Sequence, residues 1–129
     1  MKFMLMMQGT QAGWESMSRW SPAEIKAHIE FMMRLAKDLA AAGELVRAEG
    51  LDLPHNAKVV MADKGGKPLV TDGPFPEAKE FLAGFWIVDV ETPERAIAIA
   101  ATASAAPGPG GAPLGIPIEV RQFGSAPEV

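Results

Sequence analysis

The chain has 129 residues, 48% hydrophobic and 22% charged, which is typical of a single globular domain spanning 1–129 rather than of a disordered chain. It carries 12 basic and 16 acidic residues, a net charge of −4, so the cationic surface that nucleic acid requires is not expected. No apolar run reaches the roughly 18 residues of a membrane-spanning helix. The lack of cysteine excludes disulfides and thiolate zinc sites. We therefore expect a cytoplasmic protein that binds neither membrane nor nucleic acid and needs no cofactor or metal.

The first half of the chain predicts a strand, a loop and a long helix. The nearly unbroken apolar run Lys2–Gln8 is typical of a strand covered on both faces. Residues 9–20 are predicted to form a loop, although they include two tryptophans. Ser21 and Glu24 have the spacing of a capping box, which predicts the start of a helix, and Gly43 predicts its end.

The second half predicts a hairpin, a strong strand, a second helix and a final strand. These elements are a strand from Leu45, a hairpin of Ala57–Ala62 and Lys67–Thr71, a strand at Leu82–Glu91, a helix capped by Thr92, a flexible Pro/Gly-rich loop at 104–115 and a strand at Ile116–Phe123. The order strand, helix, strand, hairpin, strand, helix, strand predicts an α+β fold: a ferredoxin-like split β-α-β with an added hairpin.

The strand Leu82–Glu91 is apolar on both sides. Phe85 and Ile87 point to one side and Trp86 and Val88 to the other, because side chains alternate along a strand. Two helices cover only one face of such a sheet, and large exposed apolar patches are rare on monomers. The sequence therefore predicts a homodimer in which a second copy covers the other face.

The most specific motif is the segment from Val70 to Glu80. Asp72 and Gly73 favour a turn, Pro74 fixes the backbone, and together they predict a rigid corner with a carboxylate at its tip. This segment resembles the signature of the DGPF proteins, a branch of the YCII-related family, and the resemblance extends over nearly the whole chain.

The resemblance implies a dimeric α+β barrel with a cleft in each subunit. In the wider family a His–Asp pair in that cleft is the suspected active site, while the DGPF branch has largely no assigned activity. Several relatives are encoded beside or fused to extracytoplasmic-function sigma factors, which makes a sigma factor a possible partner. This chain departs from the family pattern because it has no tyrosine and because Gln122 follows Arg121.

Asp72 and His28 are the candidate catalytic residues. Asp72 is either a general base or ligand anchor, or only a turn residue that binds backbone N–H groups. His28 lies at the edge of the predicted buried helix face, where it either faces the cleft and exchanges a proton or is simply packed. The candidate ligand-binding residues are Phe75, Glu77, Phe85, Trp86 and Arg121.

Two functions from different classes remain open at this point. The first is a small-molecule cleft protein, or an acid–base (lyase-like) enzyme, with Asp72 and His28 across a pocket floored by Phe85 and Trp86. The second is a regulatory or interaction protein whose Asp72–Glu80 corner contacts a partner such as a sigma factor. For Arg121 and Glu119 the alternatives are an anion clamp or an ion pair across the dimer.

Overall fold

The computed structural model describes residues 1–73 and 79–127, so the predictions for Phe75 and Glu77 lie outside the described residues. The elements are β1 (Lys2–Thr10), α1 (Gln11–Met17), α2 (Pro22–Ala41), β2 (Leu45–Gly50), β3 (Lys58–Ala62), β4 (Pro68–Asp72), β5 (Glu80–Asp89), α3 (Pro93–Ser104) and β6 (Ile118–Gln122). Single 3₁₀ turns lie at Pro54–Asn56 and Pro109–Gly111.

The described strands form two antiparallel sheets. The main sheet has the order β2-β5-β1-β6, and β3 and β4 form a separate two-stranded hairpin. In the sequence α2 lies between β1 and β2, and in the sheet β5 lies between these two strands. Likewise α3 lies between β5 and β6 in the sequence, and β1 lies between these two strands in the sheet. This is the split β-α-β arrangement occurring twice. The predicted ferredoxin-like α+β fold with an added hairpin is confirmed.

The helix boundaries follow the predicted capping chemistry. The Ser21 hydroxyl accepts from the Glu24 N–H, and the Glu24 carboxylate accepts from the Ser21 N–H, which completes the capping box. Gly43 has φ of 73° just past the end of α2, a conformation that glycine adopts without strain. At α3 the Thr92 hydroxyl accepts from the Arg95 N–H.

The segment 9–20 differs from the predicted loop. β1 continues to Thr10, and α1 follows directly, with the Thr10 hydroxyl accepting from the Gly13 N–H at 3.0 Å. A threonine cap of this kind satisfies one of the donors that a helix start leaves free. The prediction missed α1 because the helix is short and contains a glycine, which lowers helix propensity.

The core lies between the helices and one face of the main sheet. The buried residues there include Phe3 and Leu5 of β1, Leu35 and Leu39 of α2, Trp86 and Val88 of β5, and Ile99 of α3. Met4, Met6, Phe85 and Ile87 point to the other face and are only half-buried. The predicted alternation along β5 is confirmed. No helix in the described ranges is long and apolar enough to cross a membrane.

The Pro/Gly-rich segment 104–115 is bound closely to its surroundings, although its composition predicts a flexible loop. The Ser104 hydroxyl donates to the Ile116 carbonyl at 2.7 Å, and the Gly115 N–H donates to the Ser104 carbonyl at 2.9 Å. Leu114 and Ala106 are linked by a further backbone hydrogen bond, and Ala106 is fully buried. These contacts give the segment a defined course, and the Gly110 N–H donates to the Glu24 carboxylate at the start of α2.

Candidate functional site

A pocket of about 330 Å³ lies between α2 and the β2–β5 side of the main sheet. Its wall is mostly apolar and includes three methionines, Met7, Met32 and Met33, together with Trp86. His28 contributes to the same wall from α2. Methionine side chains are flexible and polarisable, so a pocket lined by them adapts to differently shaped apolar ligands.

The orientation of the His28 ring is fixed by the loop at 104–115, which is distant from it in the sequence. Its Nδ1 lies 3.1 Å from the Pro107 carbonyl oxygen. Because a carbonyl only accepts hydrogen bonds, this geometry assigns the proton of the neutral ring to Nδ1. The other nitrogen, Nε2, then carries a lone pair and is the acceptor that His28 can offer to a bound molecule.

Glu24 holds this loop against the first turn of α2. One of its carboxylate oxygens accepts from the Ser21 N–H at 2.9 Å, and the other accepts from the Gly110 N–H at 2.7 Å. These hydrogen bonds lower the pKa of the Glu24 carboxyl below its ordinary value, the bond from Ser21 contributing most. The same side chain therefore caps the helix and places the segment that includes Pro107.

Trp20 packs against His28. The two rings meet edge to face, with centroids 5.6 Å apart and an interplanar angle of 72°. The loop approaches so closely here that a Cβ added to Gly108 would lie 2.5 Å from the Leu114 side chain and 3.5 Å from Trp20. The buried Trp20 indole N–H has no acceptor within 1–73 and 79–127.

The structure places Asp72 away from this pocket. It is the last residue of β4, not the tip of a turn as predicted, and its side chain is 83% exposed. Its carboxylate accepts a hydrogen bond from the Lys58 ammonium, and this bond together with the lysine charge lowers the pKa of Asp72. Asp72 and His28 are therefore not brought together on one wall.

The other predicted site residues divide between two surfaces. Trp86 lines the pocket with His28, and Phe85 also borders it although its side chain points to the open sheet face. Arg121 lies on the open sheet face, where its guanidinium is 2.6 Å from the Glu119 carboxylate of the same strand. No group of three or more acidic or histidine side chains suited to a metal ion occurs in the described part of the chain.

Sequence patterns alone did not reveal Pro107 and Trp20 as part of the site. Pro107 is 79 residues from His28, and its contribution is a backbone carbonyl, which any residue type supplies. Trp20 carried a partial signal, since a large aromatic residue directly before a helix cap is expected to pack against the helix that follows.

Comparisons with known proteins agree with the fold. Residues 1–109 match the model of the YCII-related domain. Over 80 residues the chain is 30% identical to an uncharacterized protein, R00369, of Rhizobium meliloti (strain 1021). That alignment covers 62% of this chain and 64% of the relative, so it spans less than two thirds of the relative's length. With 109 of its 129 residues matched by the domain and a ferredoxin-like sheet, the chain belongs to the YCII-related family.

Proposed function

We propose that this protein binds a small, largely apolar molecule in the pocket between α2 and the sheet, and that His28 Nε2 accepts a hydrogen bond or a proton from it. The observation that carries the proposal is the bond between His28 Nδ1 and the Pro107 carbonyl at the edge of an apolar pocket. A ring held in this way presents a fixed acceptor in surroundings that have few other polar groups.

The same arrangement suits acid–base chemistry. A general base needs a lone pair within hydrogen-bond reach of the proton that it removes, and a histidine whose Nδ1–H is bound to a carbonyl has that lone pair on Nε2. Asp72 has no part in this proposal, because its carboxylate is exposed and paired with Lys58. The proposed reaction class is proton abstraction from a bound molecule by His28 alone.

The acceptor role is testable with a pair of probes that differ by one hydroxyl group. We expect 1-naphthol to bind about three- to tenfold more tightly than naphthalene, since a net hydrogen bond contributes about 0.5–1.5 kcal/mol. His28→Asn should abolish that difference, because the asparagine amide can still donate to the Pro107 carbonyl but lacks an acceptor at the position of Nε2. Fluorescence titration measures both affinities.

The chain offers a matched control in its other histidine. His55 lies in the 3₁₀ turn beside Trp14 and does not line the pocket, so His55→Asn should keep the preference for 1-naphthol. Equal affinity of the wild type for both probes would refute the acceptor role. An unchanged preference in His28→Asn would refute its assignment to His28.

We also propose that the protein is a homodimer that forms an α+β barrel through the open face of its main sheet. The half-buried side chains at the centre of that face are Met4, Met6, Phe85 and Ile87. On either side lie ion pairs within the chain: Arg47 with Glu49 on β2, and Arg121 with Glu119 on β6. An apolar centre with a polar rim is the usual composition of a protein interface.

We further propose that the chain belongs to the DGPF branch of the family and that the protein is located in the cytoplasm. The branch assignment is supported by the sequence Asp72-Gly73-Pro74-Phe75 and the residues around it. The regulatory alternative with a sigma-factor partner remains a second proposal, since no feature of residues 1–73 and 79–127 favours it over the pocket. This second proposal would be favoured over the pocket if neither naphthalene nor 1-naphthol bound to the protein.

A further inference from the structure

The β3–β4 hairpin exposes apolar side chains on both of its faces. Val60 lies opposite Val70, and Met61 lies opposite Leu69. Because neighbouring residues on a strand point to opposite faces, the first pair lies on one face and the second on the other. All four side chains are 54–62% exposed. We refer to residues 58–73 as the arm.

The arm has a well-formed turn, and no third strand pairs with it among residues 1–73 and 79–127. At its tip the Asp63 carboxylate accepts from the N–H groups of Gly65 and Lys67, and at its base the Gly73 N–H donates to the Ala57 carbonyl at 2.9 Å. The arm does not join the main sheet. An isolated two-stranded hairpin is marginally stable in water, so a surface that covers its apolar faces would stabilise it.

The charge of the arm is opposite to that of the remaining chain. Three lysines and two aspartates give the arm a net charge of +1, and since the whole chain is at −4, the other residues total −5. Both aspartates are already bound, Asp72 to Lys58 and Asp63 to the turn, which leaves Lys64 and Lys67 at the tip. A second copy of the acidic body is thus electrostatically complementary to the arm.

The position of the arm also favours a second copy. It is inserted between β2 and β5, the strands that contribute Arg47, Glu49, Phe85 and Ile87 to the open face. A second copy seated on that face would lie beside the two strands that precede and follow the arm in the sequence. In a twofold dimer each arm would reach the other subunit, so that both arms are covered at once.

We infer that the arm is a clasp that binds the second subunit and buries Val60, Met61, Leu69 and Val70 against it. This inference rests on the proposed homodimer and adds an element that the open sheet face does not contain. Each subunit both presents an arm and receives one.

The absence of cysteine makes site-specific labelling a direct test. Met61→Cys and Val70→Cys place one thiol on each face of the arm, and Ile97→Cys places a matched control on α3, where the side chain is 57% exposed. We expect a maleimide to react with both arm thiols severalfold more slowly at dimer than at monomer concentrations. The rate at residue 97 should not change. Light scattering on the same samples measures the mass.

A second measurement tests whether the arm itself contributes to the affinity of the dimer, rather than only becoming less accessible to the maleimide when the dimer forms. Leu69→Ser should raise the dissociation constant of the dimer by about tenfold, since it removes apolar area from the clasp, whereas Ile97→Ser should leave it unchanged. A dimer whose arm thiols react at the monomer rate would overturn the clasp while keeping the dimer. A single-chain mass at every concentration would overturn both, and neither result would bear on the binding of 1-naphthol at His28.

Discussion

Gly84 is the position where one added methyl group should have the largest effect on the pocket. It lies on β5 directly opposite Gly50 of β2, and both glycines line the pocket. A Cβ at residue 84 would lie 2.9 Å from the Glu49 carbonyl oxygen and 3.4 Å from the Gly50 Cα. A backbone oxygen in a sheet cannot rotate away, so Gly84→Ala must push β2 from β5. Gly50→Ala meets no atom within 4 Å and is the matched control.

The expected loss of stability follows from two opposing terms. Overpacking a well-packed region typically costs about 1–3 kcal/mol. Replacing glycine by alanine also lowers the entropy of the unfolded chain, which returns about 0.4–1 kcal/mol where the backbone conformation is permitted. Neither glycine has a positive φ, so this gain applies to both variants. We expect Gly84→Ala to lower the free energy of unfolding by about 1–2 kcal/mol and Gly50→Ala to leave it unchanged or slightly raised.

Chemical denaturation followed by tryptophan fluorescence measures both values. In a thermal scan the loss in Gly84→Ala corresponds to a decrease in Tm of about 3–10 °C for a chain of this length. Binding of 1-naphthol should weaken in the same variant, because the displaced strand carries part of the pocket wall. If Gly84→Ala were as stable as Gly50→Ala and bound the probe equally well, the close approach of β2 and β5 at this point would be refuted.

Two further predictions concern the open sheet face and the ion pair between Arg95 of α3 and Glu44, the residue before β2. The Arg95 guanidinium donates two hydrogen bonds of 2.8 Å to Glu44, and these lower the pKa of Glu44. The contribution is therefore present above pH 4.5 and is lost as the pH falls through the lower pKa of the folded state. Glu44→Gln should cost up to about 1 kcal/mol at pH 7 and nothing in strong acid, as measured by denaturation at each pH; a constant difference would contradict this. Ile87→Glu should convert the dimer to single chains in light scattering, whereas Ile97→Glu, a change on α3, should not; a dimeric Ile87→Glu would exclude the open face as the interface.

The sequence predicted most of the fold because the signals are local. The capping box at Ser21 and Glu24, the glycine at residue 43 and the turn from Asp63 to Gly66 each act over a few residues, so their spacing defines an element boundary. The alternation along β5 also separated the side chains of its two faces. The helix after Thr10 was missed because a short helix with a glycine carries little of this signal.

The site was less predictable because it depends on contacts between distant parts of the chain. His28 was identified as a candidate from its place on a helix face, but its bond to the Pro107 carbonyl has no signature in residue type. Asp72 was chosen from turn chemistry, and the structure places it in a strand beside Lys58, since the ladder between β3 and β4 extends one residue further than predicted. The position of each side chain follows from strand register and loop course, which local patterns do not determine.

The two hydrogen bonds of Glu24 link the local unfolding of the first turn of α2 to the tautomer of the His28 ring. Helix ends fray more readily than helix centres. When the first turn of α2 opens, the Gly110 N–H loses its acceptor, and one of the contacts that position the Pro107 carbonyl is lost. The imidazole could then exchange its proton between the two ring nitrogens. The opening free energy of a single helical turn thus limits the fraction of molecules in which the ring holds one tautomer.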